Sequence, residues 1–335
     1  MNKLISFEDT IYVAGSTGMV GQSIYKVLKK DGYGNSRLGG KLLKTKRRDL
    51  DLSNNKLVGE WFAANKPTVV ILAAAKVGGI LANEASPATF LLENLKIQTN
   101  VIEAAWRNKA KRLLFLGSSC IYPKFAQQPI KEESLLSGFL ETTNEWYAIA
   151  KIAGLKLCES LRLQYGFDAI SLMPTNLYGP GDNYHPMSSH VMAALLRKFH
   201  EAKQKHISEV ICWGNGSSMR EFMHVDDLAK AAIFALRNWD PDSSNAPKTY
   251  DGKPLFHLNV GTGKDISIKD LAEKIANILD FKGKITWDLS KPNGTPKKLL
   301  DISRLSNLGW DSKISLNDGI IKTLETINQE LRFEK

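Results

Sequence analysis

No run of about eighteen apolar residues occurs in this 335-residue chain, so a membrane-spanning helix is not expected. Cysteine is scarce. Cys120, Cys158 and Cys212 stand too far apart for a disulfide framework or a metal-ligand cluster. The opening residues, Met1 to Asp9, hold no long apolar stretch ending in a small-residue cleavage site, which argues against export. A reducing, cytoplasmic setting is expected, with no membrane partner. Internal repeats and low-complexity linkers are missing too. Acidic side chains are outnumbered, 35 Asp and Glu against 45 Lys and Arg, and the net charge of +10 favours anionic ligands. The basic residues are spread along the chain. Their tight cluster, Lys44 to Arg48, runs into Asp49 and Asp51. A small phosphorylated ligand is therefore expected, and nucleic acid is not.

What is present reads as alternating α and β. Thr10-Ile11-Tyr12-Val13-Ala14 is a short apolar, β-branched run, the mark of a buried strand. It leads straight into Gly15-Ser16-Thr17-Gly18-Met19-Val20-Gly21, after which Val20, Ile24, Val27 and Leu28 recur at helical spacing and Gly32 supplies a stop. Strand, glycine turn and helix in that order form a dinucleotide-binding context. The first glycine allows the tight turn, the second lets the backbone approach a pyrophosphate, and the third lets helix pack on strand. The spacing is Gly-x-x-Gly-x-x-Gly, so a simple packing turn also fits. A second strand is expected near Lys41 to Thr45. The Lys46, Arg47 and Arg48 that follow suit a 2′-phosphate, which points to NADP(H).

Further strands are expected at Val69 to Ala75, Arg112 to Gly117 and Ala169 to Met173, with one helix from about Pro87 to Arg107 and another through Tyr147 and Lys151 to about Tyr165. Beyond residue 180 the alternation loosens. Helices are read near 189–204, 226–238, 268–279 and 316–331, strands at 209–213 and 256–260, and a surface loop at 240–254. The strand exit Ser118-Ser119-Cys120-Ile121-Tyr122-Pro123 is where reactive groups of an open α/β sheet belong. On the helix that follows, Tyr147 and Lys151 stand four apart and share a face. An ammonium beside a phenol makes it useful for acid–base work at a carbonyl, although the same spacing is common on exposed helix faces.

The glycine turn, the serine at the strand exit and Tyr-x-x-x-Lys together resemble the extended short-chain dehydrogenase/reductases. The runs Leu72 to Ile80, Gly117 to Lys124, Tyr147 to Gly154, Pro174 to Pro180, Arg220 to Asp227 and Lys291 to Asp301 narrow this to the GDP-L-fucose synthase family, across essentially the whole chain. That resemblance implies a Rossmann-type doubly wound parallel sheet with a smaller α/β C-terminal lobe. Residues 1–180, with 224–262 returning, would bind NADP(H); residues 181–223 and 263–335 would bind substrate. It also implies NADPH-dependent 3,5-epimerisation and 4-reduction of GDP-4-keto-6-deoxy-mannose to GDP-L-fucose, by a homodimer.

By the same resemblance Tyr147 protonates the C4 oxygen, while Lys151 binds the nicotinamide ribose and lowers the Tyr147 pKa. Ser118 hydrogen-bonds the carbonyl, Cys120 is the epimerisation base and His190 the acid. Gly15 to Gly21, Arg47, Asp51, Leu52, Leu116, Gly117, Ser119, Pro174, Thr175, Asn176 and Leu177 line the dinucleotide. Lys198, Trp213, Arg220, Asn293 and Lys298 grip the substrate. Two positions depart from the family's pattern: Thr17 stands where relatives carry an arginine, and Asn293 where some carry aspartate. Cys158 reads as helix core and His224 as structural. The alternatives are another nucleotide-sugar epimerase, a 4,6-dehydratase, or a non-catalytic dinucleotide-binding protein. A dehydratase usually follows its Ser or Thr with acidic residues, and here Ser119 and Cys120 stand there.

Overall fold

Ile11, Tyr12, Val13 and Ala14 have no accessible surface, and neither do Val69 to Leu72. Strands buried on both faces can only sit in the middle of a helix-covered parallel sheet. The computed structural model, which describes residues 4–291 and 293–333, has that sheet. In chain order come β1 (Thr10–Ala14), α1 (Met19–Lys30), β2 (Lys41–Lys44), α2 (Asn55–Asn65), β3 (Val69–Leu72), α3 (Ile80–Ala85), α4 (Pro87–Arg107), β4 (Arg112–Leu116), α5 (Glu145–Tyr165) and β5 (Ala169–Pro174). They are followed by β6 (Asn176–Tyr178), α6 (Val191–Gln204), β7 (Glu209–Trp213), β8 (Met219–His224), α7 (Val225–Asn238), β9 (His257–Val260), β10 (Asp265–Ser267) and α8 (Ile268–Ile278). Last are β11 (Lys284–Asp288), β12 (Lys297–Lys298), α9 (Ser303–Asn307) and α10 (Leu316–Phe333).

Six strands pair in the order β2-β1-β3-β4-β5-β9, all parallel. The chain leaves β1 outward to β2, then returns to its other side for β3. That reversal opens a crevice at the carboxyl ends of β1 and β3, the place where open α/β sheets bind ligands. One face of the sheet is covered by α1 and α7, whose Ile24, Leu28, Leu228 and Leu236 are fully buried. The other face carries α2, α4 and α5.

The strand expected to run from Val69 to Ala75 stops at Leu72, and residues 73–76 turn away to wall the crevice. A third core gathers around Tyr178, Phe199, Phe222, Leu271 and Ile275. Here β8 is the hub of a small sheet, pairing β6 and β12 in parallel and β10 antiparallel, while β7 pairs β11. Glu221 explains why β8 is hard to read from its residues. Its carboxylate is fully buried and accepts the N–H groups of Gly263 (2.8 Å) and Leu300 (3.0 Å), tying three chain segments together. No helix among the described residues is long and apolar enough to cross a membrane.

Candidate active site

At the end of β1, Gly15 has φ +87°, and a Cβ there would come within 2.6 Å of the Ala74 nitrogen. A Cβ on Gly21 would run into the Gly15 carbonyl, so only glycine lets α1 start this close to β1. α1 begins at Gly18 with no side-chain cap, which leaves first-turn N–H groups for an anion. Thr17 and Gly18 open onto a cavity of about 240 Å³. Arg47, Asp51 and Leu52 line its far wall. The other glycine-loop residues do different work. Ser16 Oγ donates to the Thr45 carbonyl (3.3 Å) and ties the loop to the end of β2. Val20 packs into the core. Asp51 accepts from Ser53 N–H (3.0 Å) and Oγ (2.8 Å), which hold it ionised below the usual carboxylate range. Free N–H groups, a glycine cradle and a basic wall fit a dinucleotide.

Behind this cleft, α5 carries Tyr147 and Lys151. Lys151 is buried, and its Nζ donates to the Leu116 carbonyl (2.9 Å). Burial pulls its pKa down to about 8. The ammonium stands 5.8 Å from the centre of the Tyr147 ring. The expected lowering of the Tyr147 pKa is not what this arrangement gives. Burial raises it, a negative charge on Cys120 would raise it further, and the Ser118 hydroxyl pulls the other way. Lys151 Nζ is engaged by the Leu116 carbonyl, and desolvation is the larger influence on the phenol. Ser118 opens the turn after β4, its Oγ accepting from Cys120 N–H (3.3 Å). Leu116 and Ser119 are buried, and Gly117 N–H continues the ladder to the Leu172 carbonyl (2.9 Å). Past β5, Thr175 Oγ1 (3.2 Å) and Asn176 Nδ2 (2.9 Å) both donate to the Glu221 carbonyl. Pro174 ends the strand and Leu177 packs against the core.

A second cavity, of about 260 Å³, brings together Cys120, His190, Lys198, Trp213, Arg220, Asn293 and Lys298 from segments scattered over most of the chain. Asn144 Nδ2 donates to Cys120 Sγ (3.3 Å), and Lys298 Nζ stands 4.0 Å from the same sulfur. An N–H donor and a cation are what a thiolate base needs around it. His190 precedes α6 and turns its exposed surface into the cavity. Protein crowds it more widely, which lowers its pKa by disfavouring the imidazolium. Arg220 Nη1 donates to the Met219 carbonyl (2.9 Å), and the Glu141 carboxylate helps hold its charge against burial. Lys198 Nζ (5.4 Å) and Lys291 Nζ (5.6 Å) flank the half-exposed Trp213 ring. Asn293 is a brace: its Oδ1 accepts from Asn215 N–H (2.9 Å) and its carbonyl from Ser218 Oγ (2.8 Å). Its neighbour Pro292, in the run singled out above, lies outside the described residues.

Sequence reasoning passed over two residues of this cavity. Asn144 stands one turn before Tyr147, and that spacing was its only signal. Glu141 is buried, with Lys124 Nζ (3.1 Å) and Thr295 Oγ1 (3.1 Å) on its carboxylate, and a single loop carboxylate carries no pattern. Cys158 lies in the core, and His224 Nδ1 accepts from Asp226 N–H (3.2 Å) to cap α7.

A model of the NAD dependent epimerase/dehydratase family matches residues 11–251. GDP-L-fucose synthase 1 of Arabidopsis thaliana is 53% identical over 315 residues, covering 94% of this chain and 92% of its own length. GDP-L-fucose synthase of Escherichia coli (strain K12) is 49% identical over 316 residues, covering 94% and 95%. The chain belongs to this epimerase/dehydratase family, and within it to the GDP-L-fucose synthases. The family's fold extends to solved structures. A GDP-mannoheptose C4 reductase from Campylobacter jejuni with NADP bound superposes with a TM-score of 0.83, is 38% identical, and covers 97% of this chain and 99% of its own. Family membership makes this an NAD(P)-binding enzyme.

Proposed function

We propose that this GDP-L-fucose synthase family member converts GDP-4-keto-6-deoxy-mannose to GDP-L-fucose, inverting C3 and C5 and reducing C4 with NADPH. One observation carries the reading. Cys120, with Asn144 and Lys298 on its sulfur, shares a cavity with His190, and its turn packs against α5, the helix that carries Tyr147. A thiol base, an imidazole acid and a phenol donor around one site match a ketone whose two neighbouring carbons are inverted. Bound NADPH supplies the hydride for C4.

The C4 ketone acidifies the protons at C3 and C5 by delocalising the resulting carbanion as an enolate. Cys120 Sγ, as thiolate, removes one proton, releases it to solvent and then removes the other, while Ser118 Oγ holds the oxygen as it gains charge. His190 returns a proton to the opposite face. Tyr147 Oη then protonates the C4 oxygen during reduction. A raised phenol pKa is no obstacle to that step, since an alkoxide is a stronger base than any phenolate. Lys198, Arg220 and Lys298 suit the diphosphate, and Trp213 offers a stacking face.

NADPH is preferred over NADH on the strength of Arg47 in the glycine cleft. The reading assigns residues 1–180 and 224–262 to the dinucleotide and 181–223 and 263–335 to the substrate, in a cytoplasmic homodimer. A dehydratase reading fares worse, because the buried carboxylate of this cavity, Glu141, is already bound by Lys124 and Thr295. The test is to supply GDP-4-keto-6-deoxy-mannose and follow NADPH oxidation and product stereochemistry. Stoichiometric oxidation with formation of GDP-L-fucose is expected. Turnover of a different 4-keto sugar nucleotide, with none of this one, would sink the assignment.

A further inference from the structure

The glycine cleft holds a charge arrangement that the dinucleotide reading does not use. Arg47 sits on the wall after β2 with its side chain 78% exposed, and its Nη2 faces Glu93 Oε2 of α4 across 3.8 Å. Both residues line the cavity that contains Thr17 and Gly18. At 3.8 Å the pair has charge attraction without a hydrogen bond. Among the described residues, no hydrogen bond to the Glu93 carboxylate is formed, whereas Asp51, the other carboxylate of this wall, is satisfied by Ser53. Lys46 and Lys76 line the same cavity. Glu93 is thus an anion without a hydrogen bond, placed beside the guanidinium that would meet a 2′-phosphate.

We propose that Glu93 is a specificity-determining residue that weakens this chain's preference for a 2′-phosphorylated adenosine. The inference rests on reading this cleft as the seat of an NADP adenosine. A 2′-phosphate brings roughly two negative charges at neutral pH, by analogy with other phosphate monoesters. Arg47 attracts them and Glu93 repels them. The phosphate must also draw Arg47 away from a carboxylate that already part-neutralises it. A free ribose hydroxyl suffers neither penalty and can donate to the carboxylate instead. Thr17 adds no cation from the glycine loop to restore the balance. Around the 2′ position the closest opposed charges are then Arg47 and Glu93, with Lys46 and Lys76 adding positive charge elsewhere on the wall.

Calorimetric titration of the full chain with 2′,5′-ADP and with 5′-ADP tests this without turnover. Glu93→Gln should tighten 2′,5′-ADP roughly threefold to tenfold, and raising the salt should shrink that gain. Affinity for 5′-ADP should stay within about twofold of wild type. A Glu93→Gln protein that binds 2′,5′-ADP no tighter overturns the proposal. Arg47→Ala separates that failure from failure of the cofactor reading. If Arg47→Ala weakens 2′,5′-ADP while Glu93→Gln leaves it unchanged, the cleft is as described and the role of Glu93 is wrong. If wild type and Arg47→Ala both bind the two nucleotides equally, the cofactor reading and the proposal fall together.

Discussion

Around Gly15, Thr17 and Gly18 the cavity is framed by a glycine turn at the start of a helix, whereas around Cys120 it is lined by residues drawn from Gly78 to Lys298. The first cleft exists because two glycines let a helix start against a strand, so its shape is inseparable from the parallel sheet. The second is assembled by loops, a small sheet and helix starts, each contributing one or two groups. A cleft framed on a glycine turn tolerates little change in its frame and some change in its wall. A cleft made of side chains holds its shape when one group is removed but loses one chemical function. Substitutions in the two should therefore fail differently.

The largest expected separation comes from Tyr147→Phe. Losing the proton donor should slow C4 reduction by about 10²- to 10⁴-fold while the protein stays folded, read as NADPH oxidation and an unchanged unfolding midpoint. Next is the pH dependence of Lys151. Its pKa is about 8 in the fold against an ordinary 10.5, so between those values the unfolded chain holds a proton that the folded chain does not. Stability contributed by this group should rise with pH through that window, by up to about 3 kcal/mol. Urea unfolding at the two ends of the window, compared with Lys151→Met, checks the sign; no difference between the proteins would contradict it.

Gly21→Ala should cost about 1–3 kcal/mol of stability and weaken dinucleotide binding together, because its Cβ meets the Gly15 carbonyl. Binding that survives intact would break the claim that the first cleft is a property of the frame. The smallest effect belongs to Asn144→Ala. Removing the donor to Cys120 Sγ should slow deuterium entry at C3 and C5 by about tenfold or less, with dinucleotide affinity and stability unchanged.

The same contrast explains what could be read from the sequence. β1, β3, β4 and β5 are continuous apolar runs because helices cover both faces, and the glycine turn and Tyr147-x-x-x-Lys151 announce themselves by spacing. β6, β10 and β12 are two or three residues long, shorter than any period. β8 was obscured by Glu221, a buried carboxylate whose partners come from other segments. α2 went unread because polar residues and Gly59 interrupt its apolar face. Lys298 and Cys120 are 178 residues apart, and nothing local in either announces their meeting. The Tyr147 pKa is not legible from spacing for a related reason. Spacing put a cation nearby, but only the three-dimensional surroundings show that burial outweighs it and that Leu116 holds the amine.

The central claim is that reduction and epimerisation use different groups around one sugar. The direct measurement is deuterium incorporation from heavy water into C3 and C5 of GDP-4-keto-6-deoxy-mannose, without reductant, in wild type, Tyr147→Phe and Cys120→Ser. Exchange should persist in Tyr147→Phe and fall at least a hundredfold in Cys120→Ser, in line with loss of a general base. Exchange at the wild-type rate in Cys120→Ser would contradict the account.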